Sequence, residues 1–138
     1  MIVAYNNNAT ASSVISTFTK EVRTEKSLVA IDKSLEHYPQ LVRGIAGQKS
    51  IVLLDGDRDA ISQISEALSQ TNAESLSIIC HGEPGTLYLG NKLLKASNID
   101  EYNYLLSEWG VKEIQLYACS VARDEEFIGR LQQLTGAK

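Results

Sequence analysis

The sequence has few of the residue types that build metal sites and disulfide scaffolds. Its 138 residues include two cysteines, two histidines, one methionine and one tryptophan. Cys80 and Cys119 do not make a disulfide framework, and together with the histidines they match no zinc-site spacing. We therefore expect reduced thiols, with a Cys80–Cys119 disulfide as the minor alternative, and neither a bound metal nor a cofactor.

Long apolar runs and basic clusters are also missing. No window approaches the ~18 uninterrupted apolar residues that a membrane span requires. The first ten residues, MIVAYNNNAT, lack the basic and apolar segments of a signal peptide. The net charge of −4 offers no basic surface for a nucleic-acid backbone. These absences predict a cytoplasmic protein with no membrane span and no nucleic-acid partner.

The glycine-rich phosphate motifs are absent as well. The stretch GQKS, residues 47–50, lacks the upstream glycine of a P-loop, and no GxGxxG occurs. A flavodoxin-like receiver or cofactor binder would suit the strand order given below, but without a phosphate loop it has the weakest support.

Composition divides the chain into two parts. An apolar fraction of 43% and a charged fraction of 22% are typical of a globular domain, and 138 residues suffice for one core. Residues 1–26 are rich in Asn, Ser and Thr without clear periodicity, so we predict a polar arm there, with one short helix or none. The predicted domain covers residues 27–138.

Apolar runs alternate with amphipathic stretches throughout that domain. Strands are predicted at 27–32, 50–57, 75–82 and 112–120, and helices at 34–44, 59–70, 97–110 and 124–136. Ser34 is the predicted cap of the first helix, and Ser97 with Asp100 caps the third. A small hairpin is predicted over 86–94, around Gly90-Asn91. This order indicates a three-layer α/β domain with a mostly parallel sheet of about four strands plus the hairpin.

Residues that could carry chemistry follow the predicted strands. Right-handed crossovers bring the carboxyl ends of the strands to one edge of the sheet, where sites form in such folds. The residues delivered there are Asp32, Asp55, the Cys80–Gly82 triplet and Cys119 with Ser120. Both aspartates are most simply turn residues, although one could bind a basic substrate side chain. Alternation along the strand points Cys80 toward the core.

His81 and Cys119 form a candidate catalytic pair. If the third and fourth strands are neighbours, ~5 Å apart, the imidazole and the thiol can reach one another. An imidazolium lowers the pKa of a nearby thiol and favours a thiolate nucleophile. The amide N–H groups of Gly82 and Cys119 could hold the developing oxyanion. The alternatives are a turn histidine bonded to the backbone and a buried, apolar cysteine.

These motifs resemble those of a known group of enzymes. CHG after one strand and LYAC closing the next look like the histidine and cysteine motifs of caspase-like cysteine peptidases. The longer segments LDGDRDAISQISEAL, IICHGEPGTLYLGNKLL, LYACSVA and LQQLTGA are similar to a bacterial family of unassigned function. That family is placed near the caspase-like peptidases, and its members often begin long secreted repeat proteins. The resemblance covers about residues 27–137 and implies a caspase-like fold, with His81 as general base and Cys119 as nucleophile.

The resemblance also sets expectations about completeness and location. In the family a further strand normally follows LTGA, so we expect the C-terminal strands of the fold to be missing here. Ala118 and Ser120 stand where the family commonly has glycine and asparagine. Because relatives include secreted proteins, non-classical secretion is the alternative to a cytoplasmic location.

Two functions fit these observations. The first is a caspase-like cysteine endopeptidase that cleaves a peptide or protein substrate, or its own chain. The second is a non-catalytic scaffold that serves as an interaction module within a larger protein assembly. In that alternative the polar arm docks on partners, and an open strand edge accepts another chain.

Overall fold

A computed structural model describes residues 26–45, 49–118 and 125–137, together with the backbone of residues 2–5. The strands are β1 (Ile2–Tyr5), β2 (Ser27–Asp32), β3 (Ser50–Leu54), β4 (Ser75–Ile79), β5 (His81–Glu83), β6 (Thr86–Leu89), β7 (Lys92–Lys95) and β8 (Glu113–Tyr117). The helices are α1 (Tyr38–Ile45), α2 (Ala60–Thr71), α3 (Asn103–Leu106) and α4 (Glu125–Thr135), with a 3₁₀ turn at Ile99–Tyr102.

Within the described residues the main sheet contains five strands in the order β1-β8-β4-β2-β3, and the neighbouring pairs are parallel. The four predicted strands are all present, which confirms the α/β class. The fifth strand, β1, comes from the predicted polar arm and pairs with β8, Ile2 opposite Ile114. Four residues are too few to show a period, so this pairing could not be anticipated. The remainder of the predicted arm, residues 6–25, lies outside the described part.

Helices cover both faces of the main sheet, as predicted. On one face α1 packs against the sheet through Leu41 and Ile45, joined by Leu35, Tyr38 and Val42 as the sequence periodicity predicts. On the other face α2, α3 and α4 share one core cluster with the sheet, to which Phe127 of α4 contributes a fully buried ring. The carboxyl edge of the sheet therefore emerges between two packed layers.

A second, antiparallel sheet has the order β5-β6-β7. The predicted hairpin is confirmed as β6 and β7, joined through Gly90 and Asn91. The added strand β5 folds back on β6 through Pro84 and Gly85, and Gly85 has a φ of +70°. Only Cys80 separates β4 from β5, so the main sheet leads directly into the small one.

The first helix begins later than predicted. Ser34 is not its cap, because residues 33–37 form turns and α1 starts at Tyr38. A helix running from Leu35 would require the nitrogen of Pro39 to donate a hydrogen bond, which proline cannot do. Starting at Tyr38 places Pro39 in the first turn, where no such bond is needed.

The third helix is shorter than predicted and is not capped by Ser97 and Asp100. The residue before the 3₁₀ turn is Asn98, whose side chain bonds instead to the backbone of Leu93 and Lys95. These local bonds compete with helix formation, so the segment starts as a 3₁₀ turn. The Asp100 carboxylate accepts a hydrogen bond from Arg130 of α4 at 2.6 Å.

Candidate functional site

The two strands that lead to the histidine and cysteine motifs are neighbours in the main sheet. β4 pairs with β8 in parallel register, and Ile79 lies opposite Tyr117. The pairing continues one residue further, because the Cys80 N–H donates to the Tyr117 carbonyl at 3.2 Å. The two chain segments therefore leave the sheet side by side at its carboxyl edge. The hypothesis of a His81–Cys119 pair requires these two strands to be neighbours.

The sequence predicts His81 at the end of the third strand of the main sheet, whereas the structure places it at the start of β5. Strand β4 stops at Ile79, and His81 pairs with Tyr88 across the small sheet. The side chain is exposed. It shares a face of β5 with Glu83, because side chains two residues apart on a strand point the same way. The imidazole is thus available at the surface, directly beyond the carboxyl edge of β4.

Tyr88 is a residue of this site that sequence reasoning missed. Its hydroxyl donates a hydrogen bond to Glu83 Oε1. That bond, with the nearby negative charge, raises the pKa of the Tyr88 phenol above its ordinary value. The signal that could have found it is Pro84-Gly85, a two-residue turn that folds Tyr88 back opposite His81. His81, Glu83 and Tyr88 therefore form a polar cluster on one face of the small sheet.

Gly82 is half-buried and lies opposite Leu87. In a hairpin closed by a two-residue loop, hydrogen-bonded and non-hydrogen-bonded pairs alternate away from the turn. Glu83 and Thr86 flank that loop, so Gly82 and Leu87 fall on a non-hydrogen-bonded pair. This alternation directs the Gly82 N–H away from β6.

Cys80 is a core residue, as predicted. Only 4% of it is exposed. Burial raises the pKa of its thiol strongly, the negative charge of Asp32 raises it further, and a hydrogen bond from the Tyr88 backbone lowers it slightly. The side chain therefore remains a neutral thiol and is unsuited to act as a nucleophile.

Asp32 fulfils its predicted turn role and makes a second contact that the sequence does not suggest. It is 2% exposed at the end of β2, and its Oδ1 accepts a hydrogen bond from the Ser34 N–H at 2.8 Å. Its Oδ2 accepts one from the Gly90 N–H at 2.7 Å. The first bond orders the turn after β2. The second attaches the tip of the β6–β7 hairpin to the main sheet.

Asp55 is also a turn residue, as predicted. Its Oδ1 accepts a hydrogen bond from the Asp57 N–H at 3.2 Å. The Asp55 backbone is fixed by Gln63 of α2, whose side-chain amide bonds both its N–H and its carbonyl at 3.2 Å. Neither of these contacts points to a substrate.

Cys119 and Ser120 lie outside the described residues, which reach Ala118 on this side of the gap. Ala118 is 3% exposed, so the described chain is still within the core at this point. The assignment of Cys119 as nucleophile stays a prediction, as does the assignment of Gly82 as an oxyanion donor.

One hollow near the helices does not coincide with this edge. A hollow of about 390 Å³ is lined by side chains that include Ser65, Leu68 and Trp109. It also contacts Glu74 and Gly110, which precede β4 and β8, so it lies at the amino ends of these strands. Sites in parallel sheets form at the opposite, carboxyl edge, and we therefore do not assign the chemistry to this hollow.

The described residues contain neither a cluster of metal ligands nor a helix that could span a membrane. There, no three His, Cys, Asp or Glu residues cluster closely enough to hold a metal ion. Each helix within the same ranges is too short or too polar to cross a membrane.

Comparison with models of protein families assigns the chain to a family. A family model described as a domain of unknown function, DUF4347, matches residues 28–138. The chain belongs to the DUF4347 family. The match to DUF4347 starts within β2 and covers every candidate site residue, which confirms the family resemblance stated from the sequence.

Among solved structures, the DUF4347 domain is similar to caspase-1 from Spodoptera frugiperda, with 17% sequence identity and a TM-score of 0.36. The similarity covers 70% of this chain and 48% of the caspase chain, so the domain spans about half the length of that protein. A TM-score of this size is too low to equate the two folds or to transfer an activity. No curated protein matches the DUF4347 chain.

Proposed function

We propose that this DUF4347 domain is a cysteine-peptidase-type domain of caspase-like type, with His81 as general base and Cys119 as nucleophile. The observation that carries the proposal is the pairing of β4 with β8. His81 follows the paired residue Ile79 by two positions, and Cys119 follows its partner Tyr117 by two positions. The equal spacing of these two residues beyond adjacent parallel strands supports the proposal that they act as a dyad.

The environments of His81 and Cys80 support the choice of His81 as the general base. His81 is exposed beyond the sheet edge, whereas Cys80 is buried with a raised thiol pKa. Of these two adjacent residues, only His81 can therefore exchange protons with a substrate. The Gly82 N–H, directed away from β6, is a candidate donor for a developing oxyanion.

In the proposed mechanism His81 accepts the thiol proton of Cys119, and the thiolate attacks a peptide carbonyl carbon. The amide N–H groups of Gly82 and Cys119 hold the resulting oxyanion. His81 then donates its proton to the leaving amine as the C–N bond breaks, which leaves a thioester. Water, deprotonated by His81, hydrolyses the thioester and regenerates the thiol. The substrate is a peptide or protein, including the chain itself, in a compartment such as the cytoplasm that keeps thiols reduced.

A thiol-directed peptidyl acyloxymethyl ketone tests the proposal, with the modified residue identified by peptide mass spectrometry. The probe should alkylate Cys119 in the wild-type protein and nothing in Cys119→Ala. His81→Ala should slow labelling about 100-fold or more, because the thiolate loses its base. Cys80→Ser is the matched control, and it should label at the wild-type rate because Cys80 is buried.

Absence of labelling, in a gene product that also stays uncleaved when expressed, would refute the peptidase proposal. Labelling of Cys80 in place of Cys119 would refute the assignment of the nucleophile. The first of these results would favour the alternative that the domain is a non-catalytic interaction module.

A further inference from the structure

The outer face of the small sheet carries a row of three residues that begins at His81. His81 of β5 lies opposite Tyr88 of β6, and Tyr88 lies opposite Leu93 of β7. Directly opposed residues on neighbouring strands point to the same face of a sheet, so these three side chains share one face. Leu87 and Leu94 point to the other face and are buried in the core. The row therefore lies on the solvent side of the small sheet.

Leu93 ends this row with an apolar side chain at the surface. It is 42% exposed, and among the described residues it shares with Tyr104 the property of being a large hydrophobic residue left in solvent. Tyr88 lies between Leu93 and His81 and is half-buried, and its hydroxyl donates to Glu83. His81 is thus followed across the surface by an aromatic and then by an aliphatic side chain.

The spacing of the row suits an extended peptide that crosses the strands. Opposed side chains on adjacent strands are about 5 Å apart, which places Leu93 about 10 Å from His81. In an extended chain, side chains on the same side repeat about every 7 Å. A peptide that has one amide at His81 can therefore place two of its side chains on Tyr88 and Leu93.

The proposed chemistry decides which part of a substrate lies over this row. The acyl carbon becomes bonded to Cys119, whereas the leaving amine takes its proton from His81. The new amino terminus is thus formed at His81, and the residues after the cleaved bond extend from that point. A lone exposed leucine is common at protein surfaces, so it is the alignment of Leu93 with His81 that carries the argument.

We propose that Tyr88 and Leu93 select peptide substrates that have apolar residues directly after the cleaved bond. This inference rests on the proposed function and adds the substrate class to it. The first residue after the bond packs on Tyr88, and the third residue, which points the same way, packs on Leu93. Their contact removes apolar surface from water, whereas a charged residue in the third position would lose hydration against the leucine.

Cleavage of a peptide library tests the inference, with the new amino termini identified by mass spectrometry. The wild-type protein should select apolar or aromatic residues at the first and third positions after the cleaved bond, and Cys119→Ala should cleave nothing. Leu93→Lys should lower kcat/KM about tenfold for a peptide with leucine at the third position and should shift the selection there to Asp and Glu. Tyr88→Ala should weaken the selection at the first position. Tyr104→Lys, which charges the other exposed hydrophobic residue, is the matched control and should cleave as the wild type does.

Labelling by the acyloxymethyl ketone separates this inference from the proposed function. The probe carries no peptide after its reactive carbon, so Leu93→Lys should be labelled at Cys119 at the wild-type rate. If the wild type is labelled but shows no apolar selection after the bond, or cleaves no peptide of the library, the inference is overturned and the proposed function stands. Leu93→Lys with an unchanged selection would overturn it in the same way.

A wild-type protein that neither reacts with the probe nor cleaves the library would overturn the inference together with the proposed function. Circular dichroism checks that each variant is folded. If Leu93→Lys loses its spectrum, Leu93→Thr takes its place, because threonine favours strands. That variant should also lower kcat/KM for the leucine peptide, and an unchanged value would overturn the role assigned to Leu93.

Discussion

Replacement of Asp32 by alanine tests whether the bond between β2 and the β6–β7 hairpin stabilises the fold. The change removes a carboxylate, 2% exposed, that accepts hydrogen bonds from the Ser34 and Gly90 N–H groups at 2.8 and 2.7 Å. A hydrogen bond to a charged group contributes about 1.5–3 kcal/mol. The two bonds together then contribute about 3–6 kcal/mol, which is partly offset because alanine has no charge to bury. We expect Asp32→Ala to reduce the free energy of unfolding by about 3 kcal/mol.

Urea denaturation provides the measurement. Trp109 is the single tryptophan and is 5% exposed, so its fluorescence reports the loss of the core. A loss of about 3 kcal/mol should lower the thermal midpoint by roughly 10 °C for a domain of this size. Asp32→Asn keeps the size and one acceptor oxygen, so it should lose about half as much. Asp57→Ala, an exposed change in the loop after β3, should stay within about 0.5 kcal/mol of the wild type.

The same variants separate the local bond from general stability. Amide hydrogen exchange should show the Gly90 N–H protected in the wild type and exchanging fast in Asp32→Ala under native conditions. A loss below about 1 kcal/mol for Asp32→Ala, or an unchanged exchange rate at Gly90, would refute the structural role assigned to this carboxylate.

Three further outcomes are expected. Gly90→Ala should lower the free energy of unfolding by about 2–3 kcal/mol and Gly110→Ala by about 1 kcal/mol. Both glycines have a positive φ, but only at Gly90 would a Cβ also meet two carbonyl oxygens, at 3.2 and 3.3 Å. Equal losses for the two variants in urea titrations would contradict this expectation. Cys80, with its thiol pKa raised by burial, should react with a thiol reagent only after unfolding, and fast reaction of the native protein would show the burial to be wrong. The pKa of Tyr88 should fall toward 10.0 in Glu83→Gln, followed by NMR. Because the pKa of Tyr88 is raised in the folded state, the stability that this bond contributes is complete below pH 10.0 and is lost as the pH rises through the raised pKa. An unchanged Tyr88 pKa in Glu83→Gln would argue against the bond.

The sequence predicts the main sheet well because burial on both faces leaves a strong local signal. Strands β2, β3, β4 and β8 are mostly apolar, and an amphipathic helix follows β2, β3 and β8. The strand ends are less predictable. Residues 75–82 read as one apolar strand, yet the ladder to β8 ends near Cys80 and the next residues pair with β6. Local hydrophobicity indicates that a residue is buried, but it does not indicate in which of the two sheets that residue pairs.

Contacts between distant segments explain the remaining differences. The bond from Asp32 to Gly90 joins residues 58 positions apart, and no local pattern encodes it. The pairing of β1 with β8 is more distant still. The candidate site shows the same division: the sequence places His81 and Cys119 after two apolar strands but leaves open whether those strands are neighbours, and Tyr88 enters through a turn whose folding direction depends on tertiary packing.

The position of β1 has a consequence for the order of folding. Ile2 pairs with Ile114, a separation of 114 − 2 = 112 residues, whereas β2 and β3 pair over 50 − 28 = 22 residues. Closing a long loop costs more chain entropy than closing a short one, so the β2–α1–β3 unit should assemble early. During synthesis β1 leaves the ribosome before the other described strands, and its partner β8 emerges only after β2, β3 and β4. Of the described strands of the main sheet, β1 is therefore made first but is the last that can join, and until then the edge of β8 stays open to other strands.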